Sequence, residues 1–188
     1  MWDYDWSGEA PWYGEEIQTL VLEDGITHIG SFAFAYHGQI SGELELPESL
    51  TSIGESAFNH TNISRIALPA KLSDIGAGAF GDVSAELTGN QYFPVANGGL
   101  YSADGTRLLV VLSSTEDMTI PDTVTHIDEG AFSGHSNLLS VTLNAAVISM
   151  GTEEESPFAY CERLKSISVP ENNRAYCAKD GVLFTEDG

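Results

Sequence analysis

Ile120 to Phe132 reads IPDTVTHIDEGAF. The same phrase stands at three other places: LEDGITHIGSFAF from Leu22 to Phe34, LPESLTSIGESAF from Leu46 to Phe58, and LPAKLSDIGAGAF from Leu68 to Phe80. A degraded fifth copy, LNAAVISMGTEEESPF, runs from Leu143 to Phe158. The closing phenylalanines, Phe34, Phe58, Phe80, Phe132 and Phe158, lie 24, 22, 52 and 26 residues apart, so the long interval is one repeat plus an insertion. Spacings of this size suit one solenoid turn, in which a short strand, a second extended segment and a helical turn close a flattened coil.

Each part of the phrase has a physical task. Residues before the corner alternate, as in Leu44 and Leu46, Val141 and Leu143, or Ile167 and Val169, which marks a half-buried strand. Pro47, Pro69, Pro121 and Pro170 then end that strand, because proline brings no N–H to the ladder. A second inward pair follows, such as Leu50 with Ile53 or Val124 with Ile127, then a glycine for a tight turn. Ala-Phe is expected on a short helical turn, its ring plugging the coil. One such turn buries too few side chains to offset the entropy of ordering it, so the copies must stack and share their columns. The expectation is a mainly β solenoid of five to six coils in a right-handed curved array with β-hairpin insertions.

The insertion carries a second repeated module. Asn90 to Gly105 reads NQYFPVANGGLYSADG and Asn173 to Gly188 reads NRAYCAKDGVLFTEDG, placing Asn90 with Asn173, Phe93 with Tyr176, Leu100 with Leu183 and Tyr101 with Phe184. Asn-Gly and Asp-Gly between alternating residues signal hairpins. The first copy continues through Arg107 to Leu112 as a strand; the second would need residues past 188, which suggests a piece of a longer protein. Trp2, Tyr4, Trp6, Trp12 and Tyr13 crowd the front and suit an end cap over the first coil. The organisation read from this is a cap over residues 1–18 and a solenoid over 19–188, with a hairpin insertion at 85–117 and a truncated one at 172–188.

The chain has 188 residues, 42% of them hydrophobic, which is enough for a folded core or a short array. Against 7 Lys and Arg stand 28 Asp and Glu, for a formal charge of −21. That balance repels phosphate backbones and anionic lipid, so neither nucleic acid nor a membrane is an expected partner. No stretch reaches the roughly 18 to 20 apolar residues of a membrane span, and no signal-like segment opens the chain; if it is exported, the signal has been removed. Cys161 and Cys177 fit either one bridge or two free thiols.

The phrase Ile-Pro-x-x-Val-x-x-Ile-x-x-x-Ala-Phe of Ile120 to Phe132 resembles the BspA-like leucine-rich repeat family of bacterial surface proteins. So do the Gly-Val-Leu-Phe of Gly181 to Phe184 and the opening built on Asp3, Tyr4, Pro11 and Trp12. The resemblance covers nearly the whole chain. It implies a secreted or wall-attached protein with a role in adhesion or host interaction, and it brings no residue-level site.

Chemical sites read weakly. His37, His135 and Cys161 share the position three after the phenylalanine, with His60 nearby, and imidazole and thiolate bind zinc. These residues are spread over many turns without further ligands at short spacing, so no metal and no cofactor are expected. Gly134-His135-Ser136-Asn137-Leu138 fails the nucleophile-elbow pattern, and the chain reads as non-enzymatic. Glu153-Glu154-Glu155 lacks the spaced oxygen ligands and glycine of a calcium loop and reads as solvated. Asn59-His60-Thr61 and Asn62-Ile63-Ser64 fit glycosylation acceptors and fit loop chemistry equally well.

What remains is the outer face of the stacked strands. In phase with the inward residues it consists of Thr19, Val21, Glu43, Glu45, Arg65, Ala67, Thr119, Ser140, Thr142, Ser166 and Ser168. Small polar groups dominate and no aromatic column is present for sugar stacking. The functional expectation is an extracellular protein-binding module using this face or the hairpins, its oligomeric state open. A structural spacer presenting other domains, or glycan binding through the N-terminal aromatics, are the alternatives.

Overall fold

The computed structural model describes residues 3–4, 10–12, 14–151, 158–179 and 182–185. Its strands, in chain order, are β1 (His28–Ile29), β2 (Ser41–Leu44), β3 (Ser52–Ile53), β4 (Asn62–Ala67), β5 (Asp74–Ile75), β6 (Glu86–Thr88), β7 (Val95–Ala96) and β8 (Gly99–Tyr101). They continue as β9 (Arg107–Val111), β10 (Asp117–Thr119), β11 (His126–Ile127), β12 (Ser140–Thr142), β13 (Ser149–Met150), β14 (Ser166–Ser168), β15 (Tyr176–Lys179) and β16 (Val182–Thr185).

The chain is a β-solenoid. Each coil gives one strand to each of two walls, and like strands stack in parallel. One wall is β2-β4-β6 and, further along, β10-β12-β14; the other is β1-β3-β5 and β9-β11-β13. The registers follow the repeat: His28 lies against Ser52, Ser52 against Asp74, Ser140 against Ser166. The corner between walls is closed by its proline carbonyl, with Leu50 N donating to Pro47 O at 2.9 Å and Val124 N to Pro121 O at 3.0 Å.

The third side of each coil corrects the expectation of a helical turn. No helix occurs among the described residues, and this side is a run of tight turns. The reason lies in where its N–H groups go. Phe32, Phe34 and Tyr36 donate forward to Glu55, Ala57 and Asn59 of the next coil at 2.8 to 2.9 Å, while Ala33 and Ala35 bond back within the turn. Donors that a helix would use internally thus become a third ladder between coils. The alternation needs left-handed residues, found at Phe32 and Tyr36, Ser56 and His60, and Asp82. Glycine takes those places at Gly78, Gly130 and Gly134, where the conformation carries little penalty.

The phenylalanines point inward and stack. Phe34, Phe58 and Phe80 form a column with centroids 5.6 and 5.9 Å apart, and Trp12 extends it at 5.6 Å from Phe34. Trp12 Nε1 donates to Ala33 O at 2.6 Å, and Tyr4 meets the indole edge-on. Trp2, Trp6 and Tyr13 lie outside the described residues, as does Glu153-Glu154-Glu155. The column resumes with Phe132 against Phe158 at 4.8 Å, in a second apolar cluster.

Between the two clusters sits the insertion. Asn97 and Gly98, both left-handed, turn β7 into β8, and β8 pairs antiparallel with β9. β9 then joins the solenoid wall through a parallel pairing with β11. It is shared between the clusters: Leu109 and Val110 belong to the first, Leu108 and Val111 to the second. The hairpin strands occupy only the middle of the expected 85–117 segment, because β6 and the start of β10 at its two ends are solenoid strands.

Candidate partner face

The outward residues inferred from the alternation lie where the parity places them. Glu43, Arg65, Ala67, Thr119, Thr142, Ser166 and Ser168 are exposed on their strands, Ser140 is half-buried, and Glu45 is exposed just past β2. Behind them Leu44, Ile66, Met118 and Val141 are buried. Thr19 and Val21 are exposed too, but the stretch that carries them forms no strand. The face is also divided: β6 ends one three-stranded sheet and β10 begins another, so these residues form two patches.

The first patch is the more charged. Register sets Glu43 opposite Arg65 and Arg65 opposite Glu86, a row of alternating sign across three strands. Burial alone would raise the Glu86 carboxyl, but hydrogen bonds from Ser113 Oγ and the Ser114 side chain and backbone, with Arg65 nearby, hold it below its ordinary range. Beside this row a groove of about 230 Å³ is lined by Leu20, Val21, Leu22, Glu43 and Glu45. Val21 is 77% exposed.

The column three after each phenylalanine serves the fold. His37 Nδ1 lies 2.9 Å from Ala35 O, and His135 Nδ1 lies 2.9 Å from both Phe132 O and Ser133 O, with Nε2 against Val111 O. Thr61 Oγ1 donates to Phe58 O, and Cys161 Sγ to Phe132 O at 2.9 Å. These side chains therefore bond to turn carbonyls, and among the described residues no three His, Cys, Asp or Glu gather as a metal site. Cys161 and Cys177 are both free, and burial pushes the Cys161 thiol up.

Three arrangements escaped the reading of the sequence. Asn90, Asn144 and Asn173 are brackets between coils. Asn90 Nδ2 donates to Pro69 O and Leu72 O of the preceding coil, while its Oδ1 accepts from Tyr92 N and Phe93 N. Asn144 and Asn173 repeat the pattern. The signal was available at Asn144, which stands where three of the other copies have a corner proline, Pro47, Pro69 and Pro121. Arg107 of β9 makes a bidentate pair with Asp128 at 2.5 and 2.7 Å and donates to Ile75 O, clasping the insertion to coils on both sides. On the turn side, Tyr36 stacks on His60 at 4.8 Å, and His60 Nε2 meets Asp82 Oδ2 at 3.1 Å.

A family model described as the BspA type leucine-rich repeat region matches residues 8–88 and 111–178 in six copies. The chain belongs to the BspA-type leucine-rich repeat family. Among solved structures, this BspA-type array is similar to a leucine-rich cell surface protein of Faecalibacterium prausnitzii at 29% identity and a TM-score of 0.68, over 86% of this chain and 50% of that one. It is also similar to the pneumococcal vaccine antigen PcpA, at 26% identity and a TM-score of 0.64, over 78% of this chain and 38% of that one. A leucine-rich repeat protein of Eubacterium ventriosum, 19% identical with a TM-score of 0.51, shares the fold over 89% of this chain and 64% of its own. The chain thus spans half or less of the length of the first two. No curated protein matches it. Among the described residues no helix is long and apolar enough to cross a membrane.

Proposed function

We propose that this BspA-type array is a non-catalytic protein-binding module of a bacterial surface protein, engaging its partner along the outward strand face. The observation that carries the reading is the two exposed patches on stacked parallel strands, Glu43, Arg65 and Ala67 with Glu45 just past β2, and Thr119, Thr142, Ser166 and Ser168. Stacking gives a rigid, extended surface whose backbone needs no ordering on contact, the property by which solenoids bind. The likeness to a bacterial cell surface protein supports the location, and adhesion is the role we assign to it.

The test is kinetic. The chain is immobilised and exposed to a panel of purified extracellular matrix and epithelial surface proteins, and the tightest binder is then measured against Glu43→Ser, Glu45→Ser and Arg65→Ser combined. Charge at a rim acts mainly through encounter, so the association rate and its salt dependence change by about tenfold while dissociation moves less. Unchanged rates would remove the face from consideration. A second reading, a spacer presenting other domains, is favoured by the share of the longer relatives that the chain spans; the absence of any binder in the panel would select it. Glycan binding through Trp12 is disfavoured, because its ring is engaged with Phe34 and Tyr4.

A further inference from the structure

We infer that the groove beside β2 takes an extended, basic segment of a partner protein as an added strand. The inference rests on the protein-binding reading above and names the chemistry of one part of that face.

The argument begins with an edge. Among the described residues β2 pairs with β4 on one side and is the last strand of its sheet on the other. An edge strand offers a row of N–H and C=O groups to any extended chain that reaches it. In a regular array the preceding coil would cover that edge. Here residues 19–22 of the preceding coil form no strand, and the groove is lined by Leu20 to Leu22 on one side and by Glu43 and Glu45 on the other. The register shifts between Gly42 and Glu43, with Gly42 left-handed, which leaves Glu43 and Leu44 as the regular part of the edge and Glu45 just past it.

The side chains say what kind of strand fits. Glu43 and Glu45 are two residues apart and both exposed, so their carboxylates share the outward side about 7 Å apart along the strand. Among the described residues neither has an ion pair. The cation nearest in register, Arg65, lies on the far side of β2 between Glu43 and Glu86. Across the groove stands Val21, an aliphatic side chain in water. A strand inserted here, with lysine or arginine at alternate positions, sets its cations against the two carboxylates. Its methylene stems then lie over Val21, an arrangement that long basic side chains favour. One residue type thus satisfies both walls, and the net charge of −21 draws such a segment in.

The probe is a fluorescein-labelled octapeptide of alternating lysine and threonine, titrated with the 188-residue chain and read by fluorescence anisotropy. Saturable binding is expected, weakened about tenfold by Glu43→Gln with Glu45→Gln and roughly threefold by Val21→Ser. Methylating alternate backbone nitrogens of the peptide is expected to abolish binding, since the charge stays while the strand pairing goes. These substitutions are exposed, and far-UV circular dichroism checks that the variants keep the fold. Equal binding of the methylated peptide, unchanged affinity in the Glu43→Gln, Glu45→Gln variant, or no binding at all would each overturn the inference. If the peptide fails while Arg65→Ser still alters the panel partner's kinetics, the added strand is wrong and the face reading stands. If neither moves, both fall.

Discussion

Two copies of one hairpin sit in this molecule in different circumstances. In the first, Phe93, Leu100 and Tyr101 are buried, Leu100 completely. In the second, the equivalent Tyr176 and Leu183 are half-buried, and Phe184 is 45% exposed. Their anchors are the same: Asn90 and Asn173 each donate twice to the preceding coil and accept twice from their own turn. Over the first copy lies a third strand. The first copy leads into β9, which pairs with β11 and brings the next coil down on it. The hairpin is therefore attached by its asparagine and buried by its successor, two tasks that the sequence of the module alone does not separate.

The sharpest way to break the contrast is to unfasten β9. Arg107→Ala would leave Asp128 buried without its bidentate partner and is expected to cost about 3 to 5 kcal/mol, read as a fall in the denaturant midpoint. Next in size, Leu100→Ala should cost about 3 kcal/mol, against less than about 1 kcal/mol for Leu183→Ala, since only the former empties a closed core. Equal losses would mean that the second copy is as well covered as the first. Asn90→Ala and Asn173→Ala should resemble each other at about 1 to 2 kcal/mol, and a large disparity would refute the shared anchor.

The smallest effect has the opposite sign. The Tyr101 hydroxyl is buried with no hydrogen-bond partner among the described residues, and the second copy carries Phe184 at that place. Tyr101→Phe should therefore stabilise by about 1 kcal/mol. Burial also pushes the Tyr101 phenol from 10.0 up to about 12, so ionisation favours the unfolded chain first. Its share of stability is intact below pH 10 and is lost as the pH climbs toward about 12. Melting curves of Tyr101→Phe should lack that part of the alkaline decline.

Much of the fold was legible because the repeat writes it several times over. Leucine at the corner, the inward isoleucine and the closing phenylalanine each occupy one column, and alternation alone put Glu43, Arg65 and Thr142 outside. The turn side was not legible, because Ser-Ala-Phe-Asn in a helix and in linked left-handed turns differ in hydrogen-bond partners that lie a whole coil away. The same holds for Thr19 and Val21: their parity was right, but pairing depends on how the first coil approaches β2. His37 and His135 were set aside as metal ligands on spacing alone, and the turn carbonyls that they bond to could not be read from it. The division of the face lies between β6 and β10, whose chain connection carries the β7-β8 hairpin, and no local pattern announces it.

That strand has a consequence for how the molecule comes apart. With two side chains in each apolar cluster, β9 behaves as a party wall, and neither room can be emptied without stripping one side of it. Heating should thus give a single calorimetric transition spanning both halves, and an array pulled from its ends should resist as one body instead of yielding bead by bead.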